Sequence, residues 1–417
     1  MDLTIALDAR YSVAPDSTVW SQFGMAQQFW ERYLEVFDKV KIVARASRVD
    51  RVPEGWHSVN SDRILFHQVP DFCGPWQYLR RYLEVRAAIC AAVPTEGAVI
   101  LRVGSQVANV LESELRRRAY PYALEVVGDP HEVFSRGVVD HPLRRFFRWH
   151  FSRRLRNQCL QALGVAYVTK RALQARYPTR AMAASVSDVD LPESAVLTEA
   201  AWTTHYSSIE LDKGGLAHSG RQARRQGPYQ LVTVGSLAQL YKGTDVLIQA
   251  VARCVRAGFD LTAVIAGDGK FRSQLMRQAE QHGVGSRIRF LGHVVAGAPV
   301  RRLLDESDLF VLPSRTEGMP RALIEAMARA LPCIGSAVGG VPELLEEDDL
   351  VPPNDPDALA RKIQEVLHDP LRMEQMSRRN LATSQEYVDS VLAERRRHFY
   401  RHVQEWTRRW ETGQKAG

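Results

Sequence analysis

The segment DLFVLPSRTEGMPRALIEAMARALP, from Asp308 to Pro332, holds the residues best suited by type and spacing to do chemistry. It reads as strand, loop and helix, with Pro320 in the first helical turn, where its missing N–H is no loss. The backbone amides of Gly318, Met319 and Arg321 would then be unpaired and point outward. Free N–H groups and the helix dipole both favour negative charge, so such a turn suits a pyrophosphate. Glu317 precedes the turn and Glu325 follows eight residues later. At ~1.5 Å of rise per residue their backbones would lie about 12 Å apart, comparable to the span from a sugar across a diphosphate to a ribose. The spacing by itself fits equally well two glutamates that stand in water or cap the helix.

Positioning such a turn requires a parallel sheet. Short β-branched or Leu-rich runs alternate with amphipathic stretches in both halves of the 417-residue chain, which predicts α/β architecture with two doubly wound domains. Strands are expected at Leu3–Leu7, Val40–Val43, Ile64–His67, Val99–Arg102, Ala123–Val127 and Val165–Val168, with a helix over Gln22–Val36. A second set is expected at Gln230–Val234, Leu261–Ala266, Arg287–Leu291, Leu309–Leu312 and Cys333–Gly335, with helices near 244–257, 270–282 and 320–330. The Gly-rich and basic stretch DKGGLAHSGRQARRQGP, Asp212 to Pro228, reads as an exposed linker. Domains are thus expected at 1–212 and 229–380, joined by 213–228, with a helical tail at 381–417 that needs a surface to pack on. Two facing sheets place ligands in the cleft at their carboxyl ends.

The second half resembles the donor-binding domain of family 4 retaining glycosyltransferases of the GT-B fold. EGMPRALIE is similar to the family's E-G-(apolar)-P-x-x-x-x-E signature, and TVGSLAQLYKGTDVLIQA, VIAGDG, RIRFLGHV and VPPNDPDALA stand in the family's order. The resemblance implies that Glu325 binds the ribose of a nucleotide sugar, Glu317 the transferred sugar, and Lys242 the diphosphate, with no metal and no other cofactor. It further implies that Gly235 keeps the phosphate loop open, that the backbone near His293 and Val294 borders the base, and that Gly24 of the first half touches the diphosphate. The family usually has Arg directly after the glycine, where this chain has Ser236. Arg315, or an arginine of the first domain, is the expected replacement cation.

The first half resembles the family's acceptor domain less closely. In ALEVVGDPHEVF, Gly128 and Asp129 occupy the strand end where the family often has a histidine. Asp129 and His131 are therefore candidates at the acceptor site; a loop-capping aspartate and an exposed histidine are the alternatives. The loop Asp8–Gly24 is expected to face the cleft. DVD at Asp188–Asp190 looks like the DxD of metal-using transferases, but its place in the acceptor half makes it a solvated loop.

Charge and composition narrow the partners. The net charge is +7, yet residues 141–180 carry ten Arg/Lys and no acid, so the basicity belongs to one face. Within it, His141–Leu163 spaces Leu143, Phe147, Phe151 and Leu155 at helical intervals among arginines. Such a helix can lie on anionic lipid, or pack its Leu/Phe stripe on the sheet with its arginines in water. Nucleic acid fits poorly, because no binding signature accompanies the charge. Five scattered cysteines without CxxC support neither a disulfide frame nor a zinc site. No apolar run approaches a membrane span and the amino terminus is unlike a signal peptide, so a cytoplasmic protein is expected, one that can lie at the inner membrane face. The expected activity is transfer of a sugar from a nucleotide sugar to a hydroxyl of a glycan or lipid-linked acceptor. A nucleotide-sugar epimerase on the same fold, or a non-catalytic scaffold suggested by Ser236, are the alternatives.

Overall fold

The computed structural model describes residues 1–415 apart from 23–24, 136–137, 139–140, 181–201, 207–210, 212 and 223–225. Seven strands of the first sheet are parallel, in the spatial order β5 (Ile64–Pro70), β3 (Val40–Arg48), β1 (Leu3–Val13), β6 (Ala98–Val103), β7 (Ala123–Val126), β8 (Gly164–Tyr167) and β9 (Trp202–His205). Short antiparallel strands β2 (Val19–Ser21) and β4 (His57–Ser58) extend its rim. The helices between them are α1 (Gln27–Leu34), α2 (Gly74–Arg80), α3 (Tyr82–Ala91), α4 (Gln106–Arg117), α5 (Pro130–Val133), α6 (Arg144–Gln161) and α7 (Ala172–Arg176). The second sheet is wholly parallel, ordered β12 (Ile288–Gly292), β11 (Leu261–Ala266), β10 (Tyr229–Val234), β13 (Leu309–Leu312), β14 (Cys333–Ser336) and β15 (Leu350–Val351). Its helices are α8 (Thr244–Arg256), α9 (Arg272–Gln281), α10 (Ala298–Asp305), α11 (Arg321–Ala328), α12 (Pro356–His368) and α13 (Pro370–Ser384). The chain ends in α14 (Asp389–Lys415).

The central strands read as continuous apolar runs because both faces are covered: every residue of β6, β7, β8, β13 and β14 is buried. Three expectations need correction. First, β1 continues to Val13, so the segment after Leu7 is largely strand and not a cleft loop; Tyr11 packs edge-on against Phe66 at 5.1 Å and residues 10–13 pair with β3. Second, α1 starts only after Ala26 and ends at Leu34. Third, the linker is not simply exposed. Arg221 donates to the carbonyls of Leu304, Ser307 and Arg329, anchoring the described part of the linker to the back of the second domain.

A buried carboxylate ties the terminal helix to the first sheet. Glu125 on β7 is 2% exposed and accepts hydrogen bonds from the hydroxyls of Tyr33 (3.0 Å), Tyr206 (2.8 Å) and Tyr400 (3.2 Å). Arg102 on β6 forms an ion pair with the same group. Tyr400 belongs to α14 and stacks on Tyr33 at 4.8 Å, while Leu392, Phe399 and Val403 of the same helix are buried. A charge in such a place is tolerable only when fully paired. Glu125→Ala would leave the Arg102 guanidinium alone in the core. It is expected to lower stability by roughly 3–5 kcal/mol, against about 1 kcal/mol for Tyr400→Phe, both read by equilibrium urea unfolding. Equal losses would show that the tyrosines, and not the buried charge, hold the helix.

Candidate functional site

In the second domain the site is built at the carboxyl ends of β10 and β13, which are neighbours in the sheet. After β10 the chain passes Gly235 and Ser236 and enters a 3-10 turn, Leu240–Lys242. After β13 it forms the loop Ser314–Glu317. The Arg315 amide donates to the Tyr241 carbonyl at 2.7 Å, joining the two loops. Lys242 Nζ then reaches Glu317 at 2.7 Å and 3.0 Å to its two carboxylate oxygens, and Ser314 Oγ donates to Glu317 at 2.6 Å. The Lys242 stem passes over Gly235, where an added Cβ would stand 3.4 Å from Lys242 Cγ. Gly243 closes the turn in the left-handed region at φ +68°, and a Cβ there would meet the Pro313 carbonyl oxygen at 1.9 Å.

Helix α11 begins at Arg321, with Pro320 as its cap residue and no side-chain cap bond. The spacing of Glu317 and Glu325 is therefore loop plus helix and not one rigid helical rise. No described backbone carbonyl accepts from the amides of Gly318, Met319 or Arg321. Met319 is buried, Arg321 is exposed, and Glu325 is half-buried. Burial pushes the Glu325 carboxyl up, opposed by the charges of Arg321 and Arg301. His293 is exposed and Val294 half-buried in the loop after β12.

The first domain meets this loop directly. Glu132 of α5 accepts from Thr316 Oγ1 at 3.1 Å and from the Gly339 amide at 3.3 Å. Burial raises its carboxyl pKa; hydrogen bonds from Thr316 and from the Gly339 and Glu317 amides pull it back. A Cβ at Gly318 would lie 3.5 Å from the Val127 carbonyl oxygen. In the opposite direction, Glu343 of the second domain accepts from the amides of Lys170, Arg171 and Ala172 at 2.5, 3.0 and 2.7 Å, holding the amino end of α7. The two strand-end surfaces thus face each other across a cleft.

The expected acceptor residues sit close by, in different surroundings. Asp129 is 7% exposed and accepts from the His131 amide at 2.9 Å and from the Tyr177 hydroxyl at 2.6 Å, with Arg176 as its ion-pair partner. His131 meets the Arg148 guanidinium, and burial followed by that charge lowers its pKa. A cavity of about 260 Å³ lies beside Asp129, walled largely by Val133, Phe134, Phe151 and Leu155, with Asp8, Asn109 and Gln158 as polar groups. Gly24 and Asp188–Asp190 fall outside the described residues. Arg315, the expected replacement cation, is engaged in an ion pair. Both its terminal nitrogens pair with Asp245, at 2.8 and 2.7 Å, because Asp245 opens α8 directly beneath it. Ser236 Oγ accepts from the Ala238 amide at 3.2 Å and shapes the loop.

Sequence reasoning missed Ser314, Asp245, Glu132, Gly339 and Glu343. For Glu132 the visible signal pointed elsewhere, since Asp-x-x-Glu from Asp129 to Glu132 reads as a local capping box.

The sequence profile of the family described as Glycosyl transferases group 1 matches residues 228–369. Protein CapJ of Staphylococcus aureus is 24% identical over 335 residues, 80% of this chain and 78% of that protein. The whole chain has the GT-B fold, and residues 228–369 resemble a glycosyltransferase domain. The putative colanic acid biosynthesis glycosyltransferase WcaL of Escherichia coli is 34% identical over 145 residues, so the match spans about a third of each chain, 33% of this one and 35% of WcaL. Among solved structures, sucrose-phosphate synthase from Thermosynechococcus elongatus superposes with a TM-score of 0.66 at 16% identity, covering 96% of this chain and 98% of that one. HepE of Anabaena, in complex with UDP and glucose, gives a TM-score of 0.59 at 16% identity over 94% and 97%. At these identities the likeness concerns the fold.

Gly243 is the tightest point of the lysine turn. Gly258 also has positive φ, at +91°, but nothing stands within 4 Å of its missing Cβ. Gly258→Ala should cost about 1 kcal/mol, the backbone penalty alone, and Gly243→Ala clearly more, with Lys242 displaced. Calorimetric unfolding of the two variants checks this, and equal shifts in melting temperature would show that the contact with Pro313 can relax.

Proposed function

We propose that the enzyme transfers a sugar from a nucleotide sugar to a hydroxyl of a growing glycan or lipid-linked saccharide, with retention of anomeric configuration and without a metal. The observation that carries the reading is the Lys242 ammonium held 2.7 Å from the Glu317 carboxylate beside a helix start with open amides. A lysine so placed is within reach of a diphosphate bound on those amides, where it would stabilise the negative charge that grows on the leaving nucleotide as the glycosidic bond breaks. Ser314 and Lys242 keep Glu317 oriented towards the sugar hydroxyls. Glu325, about one turn into the helix and lifted towards protonation by burial, would accept from the ribose hydroxyls. His293 and Val294 would border the base, and the cavity beside Asp129 would receive the acceptor. Relatives such as WcaL are named for polysaccharide biosynthesis, which supports a glycan product.

A thermal-shift screen across UDP-, GDP-, ADP- and dTDP-sugars identifies the donor, since a ligand at ~100 times its dissociation constant stabilises by about 2.7 kcal/mol. With that donor, Lys242→Ala should lower kcat/KM by about 10²–10³-fold, measured as acceptor-dependent nucleotide release. Undiminished release would remove the lysine from the mechanism. Isomerised donor with no nucleotide released would instead indicate epimerisation.

Donor affinity should also depend on pH through Glu325. Its ionised form is the better acceptor for ribose hydroxyls, so affinity is full above its raised pKa and declines as pH falls through it. The decline therefore starts above the ordinary carboxylate range near 4.5. Calorimetric titrations between pH 7.5 and 5 should show this in the wild type and a flatter profile in Glu325→Gln; parallel profiles would exclude the residue.

A further inference from the structure

The function above leaves the arginines of α6 without a role. Residues 145, 148, 149, 152, 153 and 156 recur at intervals of three or four on one face of the helix, and α7 stands opposite with Arg176. Between the two helices is a cleft of about 670 Å³. The other face of α6 is occupied: Phe147 and Phe151 pack on Phe134 at 5.7 and 5.6 Å, and Leu155 is buried.

We propose that this cleft binds the phosphate or diphosphate group of a phosphorylated acceptor, a deepening that rests on the transferase reading. Arg145, Arg153 and Arg156 have no carboxylate partner among the described residues, although Arg154 on the same helix pairs with Glu112 and Lys170 with Glu386. Arg148 points its guanidinium at the ring of His131, which fixes its direction without cancelling its charge. Among the described residues, Arg176 is the one cation of the cleft with carboxylate partners, Asp129 and, at 3.6 Å, Glu132. None of the described residues that line the cleft is acidic. Four guanidinium groups in one concavity, each able to donate two parallel hydrogen bonds, match the oxygens of a phosphate better than they match water. Trp149, 57% exposed, offers an apolar wall for whatever the phosphate carries.

The location suits an acceptor. His131 lines the cleft, and the next residue, Glu132, touches Thr316, the neighbour of Glu317. One short helix, α5, therefore separates the anion cleft from the sugar-transfer centre. An acceptor anchored there by its phosphate would present a hydroxyl towards the donor from the first domain.

The probe is inorganic pyrophosphate, titrated calorimetrically into full-length Lys242→Ala protein so that the donor pocket lacks its cation. Saturable binding is expected. Arg153→Ala/Arg156→Ala, both exposed and outside the core, should weaken it at least tenfold with the melting temperature unchanged; equal affinity in this double variant overturns the proposal. A soluble hexose phosphate and vesicles containing an anionic phospholipid separate the sources. Binding of the hexose phosphate supports a sugar-phosphate acceptor. Saturable pyrophosphate binding together with vesicle binding that pyrophosphate displaces supports a lipid-linked diphosphate. Salt-sensitive vesicle binding alone, with no affinity for pyrophosphate, rejects the cleft in favour of a general lipid-facing surface. Donor binding to the wild type is measured separately, so failure of the transferase reading and failure of the anion cleft give different results.

Discussion

The Lys242–Glu317 ion pair sets the geometry on which the rest of the site depends. Its members are 75 residues apart and meet only because β10 and β13 are adjacent parallel strands whose carboxyl ends lie at the same edge. Neither loop could hold its charged group alone. Lys242 is aimed by Gly243 against Pro313 and by the Arg315–Tyr241 backbone bond, and Glu317 by Ser314. Arg315 then secures the arrangement from below by pairing with Asp245 at the start of α8.

Carboxylates also organise the relation between the two domains. Glu132 reaches from the first domain to Thr316 and Gly339, and Glu343 reaches back to three amides ahead of α7. Both use backbone N–H groups that would otherwise face the cleft unpaired, so contact between the domains satisfies donors on each side. Gly339, at φ +52°, allows the approach, because a Cβ there would lie 1.8 Å from the Glu317 carbonyl oxygen. Behind the cleft, α14 returns to the first sheet and completes the shell around Glu125 with Tyr400. The end of the chain thereby becomes part of the first domain's core.

Much of this was legible before any coordinates. Strands β10, β11 and β13 fall within a residue of the expected limits, since a parallel strand buried on both faces shows as an unbroken apolar run. Glu317, Lys242 and Glu325 were singled out through the family resemblance, and the structure brings Lys242 and Glu317 together. Other features were hidden for definite reasons. The extension of β1 to Val13 depends on pairing with β3 and on the Tyr11–Phe66 contact, which no local pattern encodes. Arg315 looked free because its partner Asp245 lies 70 residues away. Glu132 was not singled out because its partners, Thr316 and Gly339, lie 184 and 207 residues away in the chain.

By itself, the sequence determined the alternation of strands and helices, the concentration of positive charge in 141–180, and the open-amide turn ahead of α11, because each arises from interactions within a few residues. Tertiary structure alone decided which charges stay available. It matched Arg315 with Asp245, Arg102 with Glu125 and Arg176 with Asp129, and it left Arg145, Arg153 and Arg156 facing a cleft with no carboxylate among the described residues. The physical reason is range: hydrogen bonding within a helix or strand is settled by neighbours in the chain. The partner of a long charged side chain is whatever the packing of distant elements brings within a few ångströms of it.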